Sequence, residues 1–469
     1  MKKKGYLWVV FFLIVALLVT ACGGSGGNNN GNGGGSGNSG SGSSSSADSG
    51  SSGGSSSGGS SSGGSSGDEK ITLRIGTWEG GDGLAVQQRI AENYMNEHPN
   101  VTIEIEAVPD QYGTKILTQI ASNEAPDIFQ IGDGDVRMFM EKGALLDLTP
   151  FIEGENGIDL NDYYTSVLDV GKVNGKYYTM PKDYSNLAVY YNKKLFDDAG
   201  VPYPQNGWTW DEFRETAIRL TKKDGNRITQ WGANLPGTWQ RAILPLIHSY
   251  GGSVISDDGE KFVGYLNSDG TVKALEFYRD MYFKDKLAPS TVDAEAYQGV
   301  DLFQAGIAAM TITGRWPVMN YKQDPNLDFG VVQMPVGPAG PANTLCYAGF
   351  GIYSKTKHPD AAWDYLKYLT GEPGQTLMAE YAFTAVIPVA EKLGQANDEH
   401  LKPFLDDLQY VKEFPEKTSH LFGKSGGPAW GTVMEKMMLE NGNIDIKAEL
   451  DAAAAEAEKL LEQAKAEEQ

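Results

Sequence analysis

Cysteine is nearly missing from this chain. Its 469 residues include two, Cys22 and Cys346, too few for the disulfide framework on which small secreted domains depend. Histidine is almost as scarce. His98, His248, His358, His400 and His420 stand singly, at none of the spacings that hold zinc. With no reactive-cysteine context and no cofactor-binding motif beside them, the chain is expected to work without metal or cofactor and not as an enzyme. Positive charge is short too: 39 Lys and Arg stand against 61 Asp and Glu, a formal net charge of −22. Such a balance excludes nucleic acid as a partner and electrostatic adhesion to a membrane. Long apolar runs are lacking as well. Leu7 to Val19 falls short of the roughly twenty residues that cross a bilayer.

That short run is nevertheless informative. Lys2, Lys3 and Lys4 precede it and the small residues Val19-Thr20-Ala21 follow it, the pattern of a secretory signal over 1–21. Gly23 to Gly67 is almost wholly Gly, Ser and Asn, with no apolar surface to offset the entropy of ordering. The stretch 22–69 therefore reads as a tether, with a reach of about 35–40 Å for a flexible coil of this length. The segment Leu18-Val19-Thr20-Ala21-Cys22 resembles the bacterial lipoprotein box. That resemblance implies a lipid on Cys22, anchoring the chain to the outer face of the bacterial cytoplasmic membrane. Cys346 would then have no partner, and a monomer is expected.

After Lys70 the pattern becomes α/β, long enough for two folding units. Ile71 to Gly76 alternates as a strand, Val86, Ile90 and Tyr94 mark a helical stripe that His98-Pro99-Asn100 stops, and Val101, Ile103 and Ile105 mark a second strand. Tyr112 to Ser122 reads as a helix and Pro126 to Ile131 as a third strand. Loops beyond strand C-termini line the ligand crevice of an open α/β sheet. Trp78, Glu79, Asp133 and Asp135 fall in such loops, although either aspartate could instead cap the helix that begins at Val136. Met180 to Asn192 reads as a strand crossing between lobes, because Pro181 biases Met180 toward extended geometry and the apolar residues alternate. Asp183 and Tyr184 stand at its start.

The segments Leu187 to Phe196, Ala199-Gly200-Val201-Pro202, Trp208 to Phe213, Phe303 to Trp316, Asp328 to Pro335, Tyr347 to Ile352 and His358 to Leu369 occur in that order. Together they resemble the extracellular solute-binding proteins of family 1, which serve carbohydrate importers of the ATP-binding cassette class. The resemblance implies a two-lobe periplasmic-binding-protein-like fold, type II, with hinge-linked, discontinuous lobes. The lobes are expected at 70–181 with 350–388 and at 182–349 with 389–469, the chain returning to the first near Gly349. The implied partners are a carbohydrate closed between the lobes and the permease subunits of the importer.

A sugar needs flat aromatics for its C–H faces and bidentate side chains for its hydroxyl rim. Trp239, Arg241, Arg315, Trp316, Tyr347, Phe350 and Trp430 stand in loops or strand ends of the second lobe and its returns. Trp316, after Gly314-Arg315 at the end of an apolar strand, is the strongest candidate, whereas Trp363 shares a helical face with Leu366 and Leu369 and belongs to the core. Three other readings stay open. A surface glycosidase would need a carboxylate pair, and a binder of peptide, polyamine or glycerol phosphate ester would use the same fold. So would a co-receptor for a sensor kinase.

Overall fold

A computed structural model describes residues 70–467; the expected leader, Cys22 and the tether lie outside the described residues. Strand Ile71–Thr77 pairs in parallel with Val101–Ala107, and helix Gly81–Glu97 between them buries Val86, Ile90 and Tyr94 on one stripe. The helix ends at His98, whose N–H donates to the Tyr94 carbonyl, because Pro99 disfavours helical geometry in the residue before it. Helix Tyr112–Ser122 follows, and strand Ile128–Gly132 pairs in parallel with the other side of Ile71–Thr77.

Two later segments complete this sheet. Its order is Val101–Ala107, Ile71–Thr77, Ile128–Gly132, Cys346–Ile352 and Met180–Ser185, with Cys346–Ile352 antiparallel to both neighbours. The expected lobe boundaries at 181/182 and 349/350 thus cut through two of its strands, and sheet membership places the passage after Ser185. The expected single crossing strand is in fact two. Met180–Ser185 belongs to the five-stranded sheet, and Ala188–Asn192 is the centre of a separate antiparallel sheet between Met310–Thr313 and Phe329–Val332.

Between those strands the backbone leaves one ladder before joining the next, and buried N–H and C=O groups need partners there. Asn343, fully buried, supplies them: its Oδ1 accepts from Leu187 N at 3.0 Å and its Nδ2 donates to Leu187 O at 2.8 Å. Asp407 holds that amide in place, accepting from Asn343 Nδ2 at 3.0 Å and from Met334 N at 3.1 Å.

The small sheet is buried on both faces. Val189 joins a core with Phe196, Phe213, Ile247, Met434 and Leu461. Ala188 and Tyr190, pointing the other way, join Phe303 and Phe329 in a core that also contains Leu73, Ile75, Ile128 and Phe350 of the large sheet. Two sheets with their helices make the two-lobe α/β architecture, and the second core reaches from one to the other. Helix Trp210–Leu220 opens on a capping box between Thr209 and Glu212. At the end of the chain, Ile446–Glu467 buries Leu450, Ala454, Ala457 and Leu461 against helices Gly426–Leu439 and Asp269–Phe283. It is therefore an amphipathic packing helix, and only its outer face is solvent-exposed.

Candidate functional site

A cavity of about 420 Å³ is lined from both sheets. Trp78 and Glu79 come from the end of strand Ile71–Thr77, Lys182 to Ser185 from Met180–Ser185, and Tyr347 from Cys346–Ile352. Arg315 and Trp316 follow strand Met310–Thr313, and Trp239 precedes helix Gln240–Ser249.

At its floor is Lys182, fully buried, with Nζ 2.7 Å from Glu79 Oε1, in contact with Asp183 Oδ2 and 5.1 Å from the centre of the Tyr381 ring. Adjacent strand residues normally face opposite ways. Here the pairing slips: Pro181 lies opposite Gly349 and Asp183 opposite Ala348, leaving Lys182 without a partner residue. Such a bulge re-aims side chains, and it turns Lys182 onto the side of Asp183. Glu79 is fixed further by Gln130, whose Nε2 donates to Glu79 Oε1 at 3.2 Å while its Oε1 accepts from Thr77 Oγ1. Burial opposes the charge on Lys182, but the adjacent Asp183, Tyr381 and Glu79 outweigh it and hold the ammonium well above its usual pKa.

Arg315 forms the other wall. Its Nη2 donates to the Ala379 carbonyl at 3.0 Å, the guanidinium lies 5.1 Å from the Phe383 ring, and Nε and Nη1 have no partner. Burial lowers its pKa to about 10. Backbone bonds hold the turn: Arg315 N donates to Ser185 Oγ at 2.9 Å, and Tyr190 OH donates to Gly314 O at 2.6 Å. Gly314 is required there, since a Cβ would overlap the Trp316 ring.

Aromatic surface frames the opening. Trp239 and Trp316 are 40% and 45% exposed, with ring centres 6.0 Å apart. Trp78 is half-buried, edge-on to Tyr112. Below them Tyr347 OH and Thr179 Oγ1 share a hydrogen bond of 2.9 Å, and Tyr184 stacks on Phe383. The Cys346 thiol also lines the cavity, its pKa pushed up to about 12 by burial.

Of the residues singled out in the sequence, Trp78, Glu79, Asp183, Tyr184, Trp239, Arg315, Trp316 and Tyr347 line this cavity. Asp133 and Arg241 instead bind each other at 2.8 Å, with Asp133 Oδ2 accepting from Tyr347 N and Arg241 stacked over Phe414 and 3.3 Å from Glu416. Asp135 stands at the N-cap of helix Val136–Glu141 but makes no side-chain cap bond. Burial raises its pKa, and the charges of Asp133 and Glu416 add to the effect. Gly349 lies under the Tyr347 ring, which a Cβ would strike. Phe350 and Trp430 are core residues, fully enclosed because a ring gains most by complete burial. Lys182 and Tyr381 were missed. Pro181 inside a strand was the available signal for Lys182, since proline within a sheet marks an edge or a bulge.

Both carboxylates of the cavity contact Lys182 through one oxygen each. Gly423-Lys424-Ser425-Gly426-Gly427 has the Gly-x-Ser-x-Gly spacing of many hydrolases. Ser425, however, is fully buried and donates to the Leu421 carbonyl at 2.7 Å.

A family model described as bacterial extracellular solute-binding protein matches residues 77–376. The maltotriose-binding protein of Pyrococcus abyssi is 25% identical over 381 residues, 78% of this chain and 77% of that protein. Among solved structures, an ABC substrate-binding protein from Listeria monocytogenes in complex with cycloalternan aligns with a TM-score of 0.72 at 23% identity, over 84% of this chain and 99% of the other. UgpB from Mycobacterium tuberculosis in complex with glycerophosphocholine aligns equally well, with a TM-score of 0.72 at 19% identity, over 84% and 98%.

Proposed function

Because the chain belongs to the bacterial extracellular solute-binding proteins, we propose that it captures a neutral sugar or oligosaccharide between its lobes and delivers it to an ABC importer's permease. One observation carries this reading: three tryptophans, Trp78, Trp239 and Trp316, surround a charge-balanced floor. Glu79 and Asp183 offset Lys182 and Arg315, so an ion entering the cavity would leave a net charge in a desolvated place. A polyol brings no charge. Its C–H faces suit the indoles, and its hydroxyls suit the free oxygens of the carboxylates and the unpartnered Arg315 nitrogens.

A ligand touching both lobes stabilises the closed arrangement by its differential affinity for it. Closure would bring Trp239 and Trp316 against the lobe that carries Trp78, and the permease would recognise the closed form. Cys22 would carry the lipid that keeps the chain at the outer face of the membrane. The chain would act as a monomer and without catalysis. Glycerol phosphate esters are the second reading, favoured by the Mycobacterium tuberculosis likeness and by the unpartnered nitrogens of Arg315.

Thermal unfolding of the full chain with neutral oligosaccharides, spermidine and glycerophosphocholine separates these readings, since a ligand of the native state raises the midpoint. A rise with an oligosaccharide that shrinks in Trp316→Ala supports sugar capture. A rise with spermidine or glycerophosphocholine and with no sugar overturns it.

A further inference from the structure

A second cavity lies in the second lobe. It measures about 660 Å³, larger than the one between the lobes, and shares no residue with it. Its walls include Arg227, Trp231, Lys286, Asp293, Tyr297 and Asn441. Trp231 is 5% exposed and held rigidly, its N–H donating to Ile307 O at 2.8 Å and its carbonyl accepting from Ala309 N at 3.0 Å. Its indole Nε1 is buried without a partner, as is that of Trp430 in the core, but Trp231 also lines a cavity. Half-buried Tyr297 packs beside it.

The charged groups are as unbalanced here as they are balanced between the lobes. Arg227, on the hairpin formed by Lys222–Asp224 and Arg227–Gln230, makes no ion pair or side-chain hydrogen bond among the described residues, and neither does Lys286. Both residues are exposed and line this one cavity, where water can be displaced by a ligand. The one acid on the wall, Asp293, is committed: its Oδ2 accepts from Ser290 N at 3.0 Å and from Ser290 Oγ at 2.7 Å as a capping box. Lys286 and Asn441 both adopt left-handed backbone conformations, at φ 55° and φ 52°. Both follow helix ends, where a left-handed residue closes the last turn: Leu287 N donates to Met281 O at 3.1 Å and Gly442 N to Met437 O at 2.8 Å.

We infer that this cavity is a second ligand site, built for a sugar that carries a carboxylate or a phosphate. Arg227 and Lys286 take the anion, Trp231 supplies a donor in a desolvated wall, and the Trp231 and Tyr297 rings take the apolar face of the sugar. Because the two cavities share no lining residue, such a ligand leaves the cavity between the lobes open.

Titration calorimetry of the full chain with glucuronate, glucose 6-phosphate, inorganic phosphate and glucose tests this. An anionic sugar should bind, at least about tenfold more weakly to Arg227→Gln and to Lys286→Gln, by the loss of one charge-assisted hydrogen bond. Binding should persist in Trp316→Ala, which removes only the ring between the lobes and so distinguishes this site from the proposed transport site. Several results would overturn the inference: no binding of either anionic sugar, binding to both glutamine variants as tight as to the wild type, loss of binding in Trp316→Ala, or phosphate alone, or glucose in Trp316→Ala, binding as tightly as the anionic sugars.

Discussion

Lys182 is the residue on which most of the proposed transport site depends. Removing one member of a buried ionic group strands the others, at a cost of about 3–5 kcal/mol. Lys182→Met should therefore lower the unfolding free energy in urea by about that amount. Lys182→Met combined with Asp183→Asn should recover part of it, since fewer uncompensated charges remain. Trp316 represents the opposite case. Nearly half exposed and outside both cores, it should tolerate Trp316→Ala with a stability change within about 0.5 kcal/mol. Sugar affinity should nevertheless fall about threefold to tenfold, the worth of one aromatic contact. Trp316 was readable in the sequence because it follows a strand and a turn. Lys182 was not, because its aim depends on a one-residue slip against Ala348 and Gly349, far away in sequence.

Among the elements, the two strands Met180–Ser185 and Ala188–Asn192 depend on a side chain more than 150 residues away, as the 156-residue separation of Leu187 and Asn343 records. Asn343→Ala would leave the Leu187 N–H and C=O unpaired in the core, and the loss should be about 2–4 kcal/mol by denaturant titration, given about 1–3 kcal/mol per orphaned group. Asp407 makes the same junction sensitive to pH. Burial lifts its pKa from 3.8 to about 6, against the hydrogen bonds from Met334 N and Asn343. The folded chain then binds this proton more tightly than the unfolded one. Asp407 accordingly costs stability above pH 6, and that cost, about 3 kcal/mol at most, is relieved as pH falls toward 3.8. The stability difference between wild type and Asp407→Asn, measured from pH 7 to pH 4, should move in favour of the wild type as acid is added. Helix and strand periods were plain in the sequence at Ile71–Thr77, Gly81–Glu97 and Tyr112–Ser122. The junction was hidden, because alternation continues through Asn186-Leu187 while the hydrogen-bond partners change.

Across the whole molecule, the ion pair between Asp133 and Arg241 joins the loop after Ile128–Gly132 to helix Gln240–Ser249, so it connects the two lobes. Both residues had been expected to face ligand, and they face each other. Arg241→Gln should shift the ligand-free chain toward the open form, seen as a larger radius of gyration in small-angle scattering. It should also weaken sugar binding, since a smaller share of molecules starts in the competent state. Length pointed to two folding units, and the order of segments after Lys70 pointed to two lobes through the family it resembles. Which polar groups meet across the gap was not readable, because that depends on how the lobes are set against each other. The apolar core that runs from Leu73 through Phe350 to Tyr190 and Phe329 has a mechanical consequence. It should act as an axle, packed too tightly to be pulled apart cheaply, so that the lobes are expected to swing about it and not to slide. Hydrogen exchange should then find the amides of Ile75, Ile128 and Tyr190 equally slow with and without sugar, while those around Trp78, Trp239 and Trp316 slow on binding.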